Sequence, residues 1–146
     1  GSPLYSATGR NIGNRPSQIN FAIWWDGDEL RELLDGTTIT KYNGGTLLTA
    51  DGCASCNGTK ATPCLQADLF GDWREEVIFR TNDNNYLRIY TTTSVTNRRI
   101  YTLMHDPVYR LGIAWQNTAY NIPPHTSFFI GSGMAEPPVP KIYTVP

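Results

Sequence analysis

The stretch Trp25-Asp26-Gly27-Asp28-Glu29-Leu30-Arg31-Glu32-Leu33-Leu34 returns, altered but recognisable, as Leu69-Phe70-Gly71-Asp72-Trp73-Arg74-Glu75-Glu76-Val77-Ile78. Gly27 falls on Gly71, Asp28 on Asp72, Glu32 on Glu76 and the apolar pair Leu33-Leu34 on Val77-Ile78, always 44 residues apart (27 to 71, 28 to 72, 32 to 76). A chance Gly-Asp coincidence would not carry the apolar pair along with it. Repeats of roughly 40–50 residues with several short strands in each are the mark of β-propeller blades. Two such units cannot close a ring. The rest of it is expected elsewhere in a longer polypeptide, on another chain or on a second copy.

Around the repeat the pattern is all-β. Gln18 to Trp25 is β-branched and aromatic and reads as a buried strand. Leu30, Leu33 and Leu34 also fit one face of a helix, but Asp35-Gly36 follows at once and favours a type I′ hairpin turn. The Thr37-Thr38-Ile39-Thr40-Lys41-Tyr42 run that comes next is strand-like. Further strands are expected at 46–49, 65–70, 76–80, 86–90, 99–104, 109–116 and 127–130, with no helix of ten residues or more.

The 146 residues are 40% hydrophobic and 12% aromatic, enough for one domain with a sizeable core. The formal net charge of -1 points to neither nucleic acid nor an anionic membrane surface as a partner. No apolar run reaches the ~18 residues of a spanning helix. Residues 1–134 read as the domain. Residues 135–146, beginning Ala135-Glu136-Pro137-Pro138-Val139-Pro140, read as a Pro-rich linker. The opening Gly1-Ser2-Pro3 has no basic or apolar leader, so both ends suggest a piece of something larger.

Each repeat is close to the calcium loop D-x-[DN]-G-D-x-x-x-E. The first offers Asp26, Asp28 and Glu32, with Trp24 in place of the first acid; the second offers Asp68, Asp72 and Glu76, with Phe70 in place of another. Carboxylates two apart on a tight glycine turn, joined by one from the following strand, suit calcium. The same carboxylates would also cap backbone N–H groups in an ordinary turn. Asn57-Gly58-Thr59-Lys60 lies in the loop between the units. By itself it is a turn with a solvated lysine, yet inter-blade loops can face a central cleft. Trp115-Gln116-Asn117-Thr118-Ala119-Tyr120-Asn121 sets amides beside aromatic rings, a combination that suits the rim and face of a sugar. The alternative places Trp115 in the core and Tyr120 in a turn. His105-Asp106 are adjacent on a presumed strand and would point to opposite faces, so His105 is expected to make one structural hydrogen bond. Cys53, Cys56 and Cys64 are an odd set: one local disulfide, or three free thiols, with too few ligands for a closed zinc site.

Several stretches together resemble the end of the family 11 polysaccharide lyases, the rhamnogalacturonan lyases. They are Gly9 to Gln18, Phe21 to Asp28, Arg31 to Gly36, Asn57 to Pro63, Gly71 to Glu76, Tyr101 to Pro107, Tyr109 to Tyr120 and Pro123-Pro124-His125. The resemblance covers nearly all of residues 4–134. It implies part of an eight-bladed, calcium-binding, secreted propeller that holds pectin in a central cleft and cuts between rhamnose and galacturonate by β-elimination. It further implies that Lys60 neutralises the substrate carboxylate and that Tyr120 stacks on a sugar, with Asn57, Thr59 and Asn117 lining the same cleft. It identifies no proton-abstracting base. The family's domain is about four times longer than this chain, so the chain would supply part of the cleft only. Two readings stand beside this one: a pectin-binding module without catalysis, and a calcium-stabilised structural β-domain.

Overall fold

The computed structural model describes residues 3–118 and 121–145 and is mostly β-sheet. A small ribbon of β1 (Leu4–Tyr5) and β2 (Asn11–Gly13) opens the chain. Next comes a four-stranded antiparallel meander of β3 (Phe21–Ile23), β4 (Glu32–Asp35), β5 (Thr38–Lys41) and β6 (Gly45–Thr49). The second sheet holds β7 (Cys53–Ala54), β8 (Leu65–Ala67), β9 (Glu76–Thr81) and β10 (Leu87–Tyr90). In it β9 pairs with β10 on one edge and with β7 and β8 along the other.

The 44-residue repeat survives into strand register. Phe21, Ala22 and Ile23 lie opposite Leu34, Leu33 and Glu32. Leu65, Gln66 and Ala67 lie opposite Ile78, Val77 and Glu76. Every residue of the first pairing maps to its counterpart in the second. The hairpins that follow diverge: Gly36 and Thr37 alone turn β4 into β5, whereas residues 82–86 separate β9 from β10. Of the two residues in the short turn only Gly36 takes a positive φ, 59°, which is the II′ pattern and not the expected I′.

Two cores flank the sheets. Phe21, Ile23, Trp25, Leu34, Ile39, Val77 and Phe79 pack together between them. Trp24 faces the other way and joins Trp73, Ile100, Leu103, Tyr109 and Ile130. Each fully buried large side chain of this kind contributes roughly 2–3 kcal/mol.

The last third of the chain departs from the all-β expectation. Residues 109–116, expected as a strand, lie largely in the helix α1 (Pro107–Ala114). Asp106 caps it, its Oδ1 accepting the Val108 N–H at 2.9 Å, while Pro107 occupies the first turn, where its missing N–H costs nothing. The other Asp106 oxygen accepts the Ser127 N–H at 2.6 Å and ties the helix start to the later chain. Residues 99–104 end in a 3-10 turn (Leu103–His105), and residues 127–130 form no strand. His105 is exposed and, among the described residues, its side chain makes no hydrogen bond, contrary to the structural bond expected for it. No helix among the described residues is long and apolar enough to cross a membrane.

Candidate functional site

The first acidic loop forms a cluster that could hold a metal ion. One carboxylate oxygen from each of Asp26, Asp28 and Glu32 lies within 4.8 Å of the others. Glu32 is buried, and its Oε2 accepts the N–H groups of Trp25 (2.9 Å) and Asp26 (3.2 Å). The ammonium of Lys41, at the end of β5, sits among the three carboxylates. It contacts Asp26 and Asp28 closely and Glu32 Oε1 at 3.2 Å. Burial pushes the Glu32 carboxyl up to about 7, against the pull of the two N–H groups and Lys41. Burial would also raise Asp26, but the bonds from Lys41 and the Asp28 N–H hold it below its ordinary value. The three carboxylates outweigh burial at Lys41 itself and hold its ammonium well above the usual range.

The second loop keeps the frame and changes the neutralisation. Glu76 Oε2 accepts the N–H groups of Leu69 (2.8 Å) and Phe70 (3.0 Å), the counterparts of Trp25 and Asp26. Its other oxygen takes the Thr91 hydroxyl at 3.0 Å. Asp68 accepts from Gly71 N (2.9 Å), Leu103 N (2.8 Å) and Thr102 Oγ1 (2.9 Å). Asp72 pairs with Arg74 at 2.5 Å. Burial raises the pKa of both Asp68 and Glu76. Asp68, Asp72 and Glu76 are thus each satisfied separately, and the only three-acid cluster among the described residues is the first loop's.

Glu75, fully buried, joins the two units. Its Oε2 accepts from Trp24 N (3.0 Å) and Gln66 Nε2 (2.7 Å), and its Oε1 from the Tyr109 hydroxyl (2.8 Å). Tyr109 in turn accepts the Asp68 N–H at 2.8 Å. Arg31 supplies the compensating charge, 3.8 Å from Glu75 and stacked 3.8 Å above the Trp24 ring. The Arg31 guanidinium also reaches the Pro124 carbonyl and His125 Nδ1 (3.3 Å). Sequence reading missed this pair and Lys41. Their partners stand on different elements, and no local spacing announces them.

The polar loop after β7 is shaped from within. Asn57 Oδ1 accepts the N–H groups of Thr59 (3.0 Å) and Lys60 (2.9 Å), so this amide is spent on the turn. Thr59 and Lys60 are exposed, and Lys60 has no carboxylate partner among the described residues. Buried Thr62 donates to Asn117 Oδ1 at 3.1 Å. Asn117 donates to the carbonyls of Pro63 (3.1 Å) and Cys64 (2.9 Å), and Asn121 Nδ2 reaches both Thr62 Oγ1 (3.0 Å) and Asn117 Oδ1 (2.7 Å). The end of the loop that carries Asn57, Thr59 and Lys60 is thus joined, through Thr62, Pro63 and Cys64, to Asn117 and Asn121 after α1. Tyr120 lies outside the described residues. Trp115 is half exposed, not in the core.

The family model for the C-terminal domain of rhamnogalacturonan lyase family 11 matches residues 1–140, into the segment read as a linker. The chain is 67% identical to the rhamnogalacturonan endolyase YesW of Bacillus subtilis, over 97% of its own length and 24% of the relative's. It is 58% identical to the rhamnogalacturonan exolyase YesX of the same organism, over 96% of itself and 25% of the relative. The crystal structure of YesW superposes with a TM-score of 0.91 at 64% identity, covering 99% of this chain and 26% of that one. The chain thus spans about a quarter of the length of these relatives, and it belongs to rhamnogalacturonan lyase family 11 as its C-terminal domain.

Proposed function

We propose that this domain supplies part of the substrate cleft of a secreted enzyme that cleaves the rhamnogalacturonan backbone of pectin by β-elimination. The carrying observation is that Thr62, at the end of the exposed Lys60 loop, bonds to both Asn117 and Asn121, in a chain 67% identical to a lyase of that substrate. Elimination removes the proton α to the uronate carboxylate and builds negative charge on that carboxylate. An ammonium there stabilises the transition state more than the ground state. In this reading Lys60 provides it. Asn57 and Thr59 set its loop, and Asn117 and Tyr120 face the neighbouring sugar. The two sheets in equivalent register are read as two blades of a propeller whose other blades belong to the rest of the enzyme.

Calcium is the metal we propose for the first loop, where Asp26, Asp28 and Glu32 would hold it. The all-oxygen, anionic donor set fits a hard cation. The ammonium of Lys41 occupies the same oxygens, so ion and lysine are alternatives at that point. When bound, the ion would supply what Lys41 supplies, neutralisation of three crowded carboxylates.

The test is Lys60→Ala in the full-length lyase, followed by absorbance of the unsaturated uronate released from rhamnogalacturonan. The expected loss in kcat is about 100- to 1000-fold, by analogy with a deleted oxyanion donor. An unchanged rate rejects Lys60 as the carboxylate's partner. Polysaccharide bound by the unaltered enzyme with no unsaturated product formed would favour a binding module instead.

A further inference from the structure

Cys56 and Cys64 bracket the loop that carries Asn57, Thr59 and Lys60. Their Sγ atoms lie 2.9 Å apart, less than about 1 Å from the bonded separation of roughly 2 Å. The backbone on both sides is already fixed. The Cys56 N–H donates to the Thr62 carbonyl at 2.8 Å, and Asn57 and Thr62 form an antiparallel bridge. The Cys64 N–H donates to the Ile78 carbonyl at 2.9 Å, which anchors it to the second sheet. The third thiol is engaged elsewhere: Cys53 Sγ meets the Tyr90 hydroxyl at 3.3 Å. Cys56 is exposed and open to a small oxidant, and Cys64 is half-buried behind it.

We propose that Cys56 and Cys64 form a disulfide that staples the base of the 57–63 loop. A low-molecular-weight disulfide such as oxidised glutathione serves as the oxidant. The Cys56 thiolate attacks one of its sulfurs and expels one glutathione thiolate. The Cys64 thiolate then attacks the Cys56 sulfur of the mixed disulfide and expels the second. Two protons leave the protein thiols, and two electrons pass to the glutathione disulfide, giving two glutathione thiols. The closed ring is short. It limits how far the turn made by the Asn57 carboxamide, which carries Lys60, can open. The staple does not depend on what Lys60 binds.

The full-length protein is incubated with excess oxidised glutathione, denatured, alkylated and digested with trypsin. Trypsin cleaves after Lys41, Lys60 and Arg74, so the bond would join peptide 42–60 to peptide 61–74. The expected product is this linked pair, two hydrogens lighter than the sum of the two peptides with Cys53 alkylated, and the link is retained in Cys53→Ser. Deuterium exchange of residues 57–63 is expected to slow about tenfold on oxidation and to be unaffected by the oxidant in Cys56→Ser/Cys64→Ser. Recovery of all three cysteines alkylated, or of a link that Cys53→Ser abolishes, overturns the pairing. A linked pair with unchanged exchange in the loop overturns the staple.

Discussion

The two acidic loops are built on one frame and neutralise their charge in opposite ways. In both, a buried glutamate at the start of a strand accepts two successive N–H groups from the turn before it: Trp25 and Asp26 for Glu32, Leu69 and Phe70 for Glu76. In both, a glycine takes a positive φ, 93° at Gly27 and 78° at Gly71. What differs is how the remaining acids are met. The first loop gathers three carboxylates onto one ammonium. The second disperses them onto hydroxyls, N–H groups and Arg74. Glutamate and glycine are therefore the architectural members of the motif. The aspartates are free to become a cation seat or a set of caps.

That contrast breaks most sharply at Lys41. Lys41→Met is expected to cost about 3 kcal/mol in thermal unfolding with chelator present, because three crowded carboxylates lose the cation they share. Millimolar calcium should then raise the variant's Tm more than that of the unaltered chain. Equal shifts would mean that the first loop takes no metal. A smaller effect separates the glycines. A Cβ on Gly27 would lie 2.9 Å from Thr96 Cβ, whereas one on Gly71 would meet Thr102 Cβ at 3.6 Å. Gly27→Ala should cost about 2–3 kcal/mol and Gly71→Ala about 1–2, the second reflecting backbone conformation alone. Equal losses would show that the loops are packed alike. The smallest difference is in pH. The folded chain holds the Glu32 proton up to about 7, the unfolded chain to its ordinary 4.5. Unfolding therefore releases that proton between those values, and the group's contribution to stability falls as pH rises through the window. Glu32→Gln should flatten the slope of Tm against pH there, and an unaltered slope would place the titration elsewhere.

Much of the fold was legible because the repeat is local and periodic. The constant spacing of Gly27 with Gly71 and Glu32 with Glu76 carried through to the register of β3 with β4 and of β8 with β9. The helix at 107–114 was not read, although Asp106-Pro107 is a cap followed by a first-turn proline. The apolar Leu111, Ile113 and Trp115 alternate as a strand would, and an eight-residue helix shows too little period to compete. At the site, the closeness of the Lys60 loop to Asn117 followed from the family resemblance and not from spacing. Lys41 was unreadable for a plainer reason. Its role depends on the β4–β5 hairpin returning it to the turn before β4, and a residue's place across a sheet is set by register.

The hydroxyl of Tyr109 touches Glu75 from the second unit and the Asp68 backbone, while Glu75 holds the Trp24 backbone of the first. Repeats stacked in series can open one at a time, each breaking only with its neighbour. Here one buried carboxylate, Glu75, held by a phenol from the helix, spans the joint, and parting the units would strand it without access to water. The duplication visible in the chain is consequently not a duplication in its thermodynamics: two copies of a motif have been wired into one cooperative block.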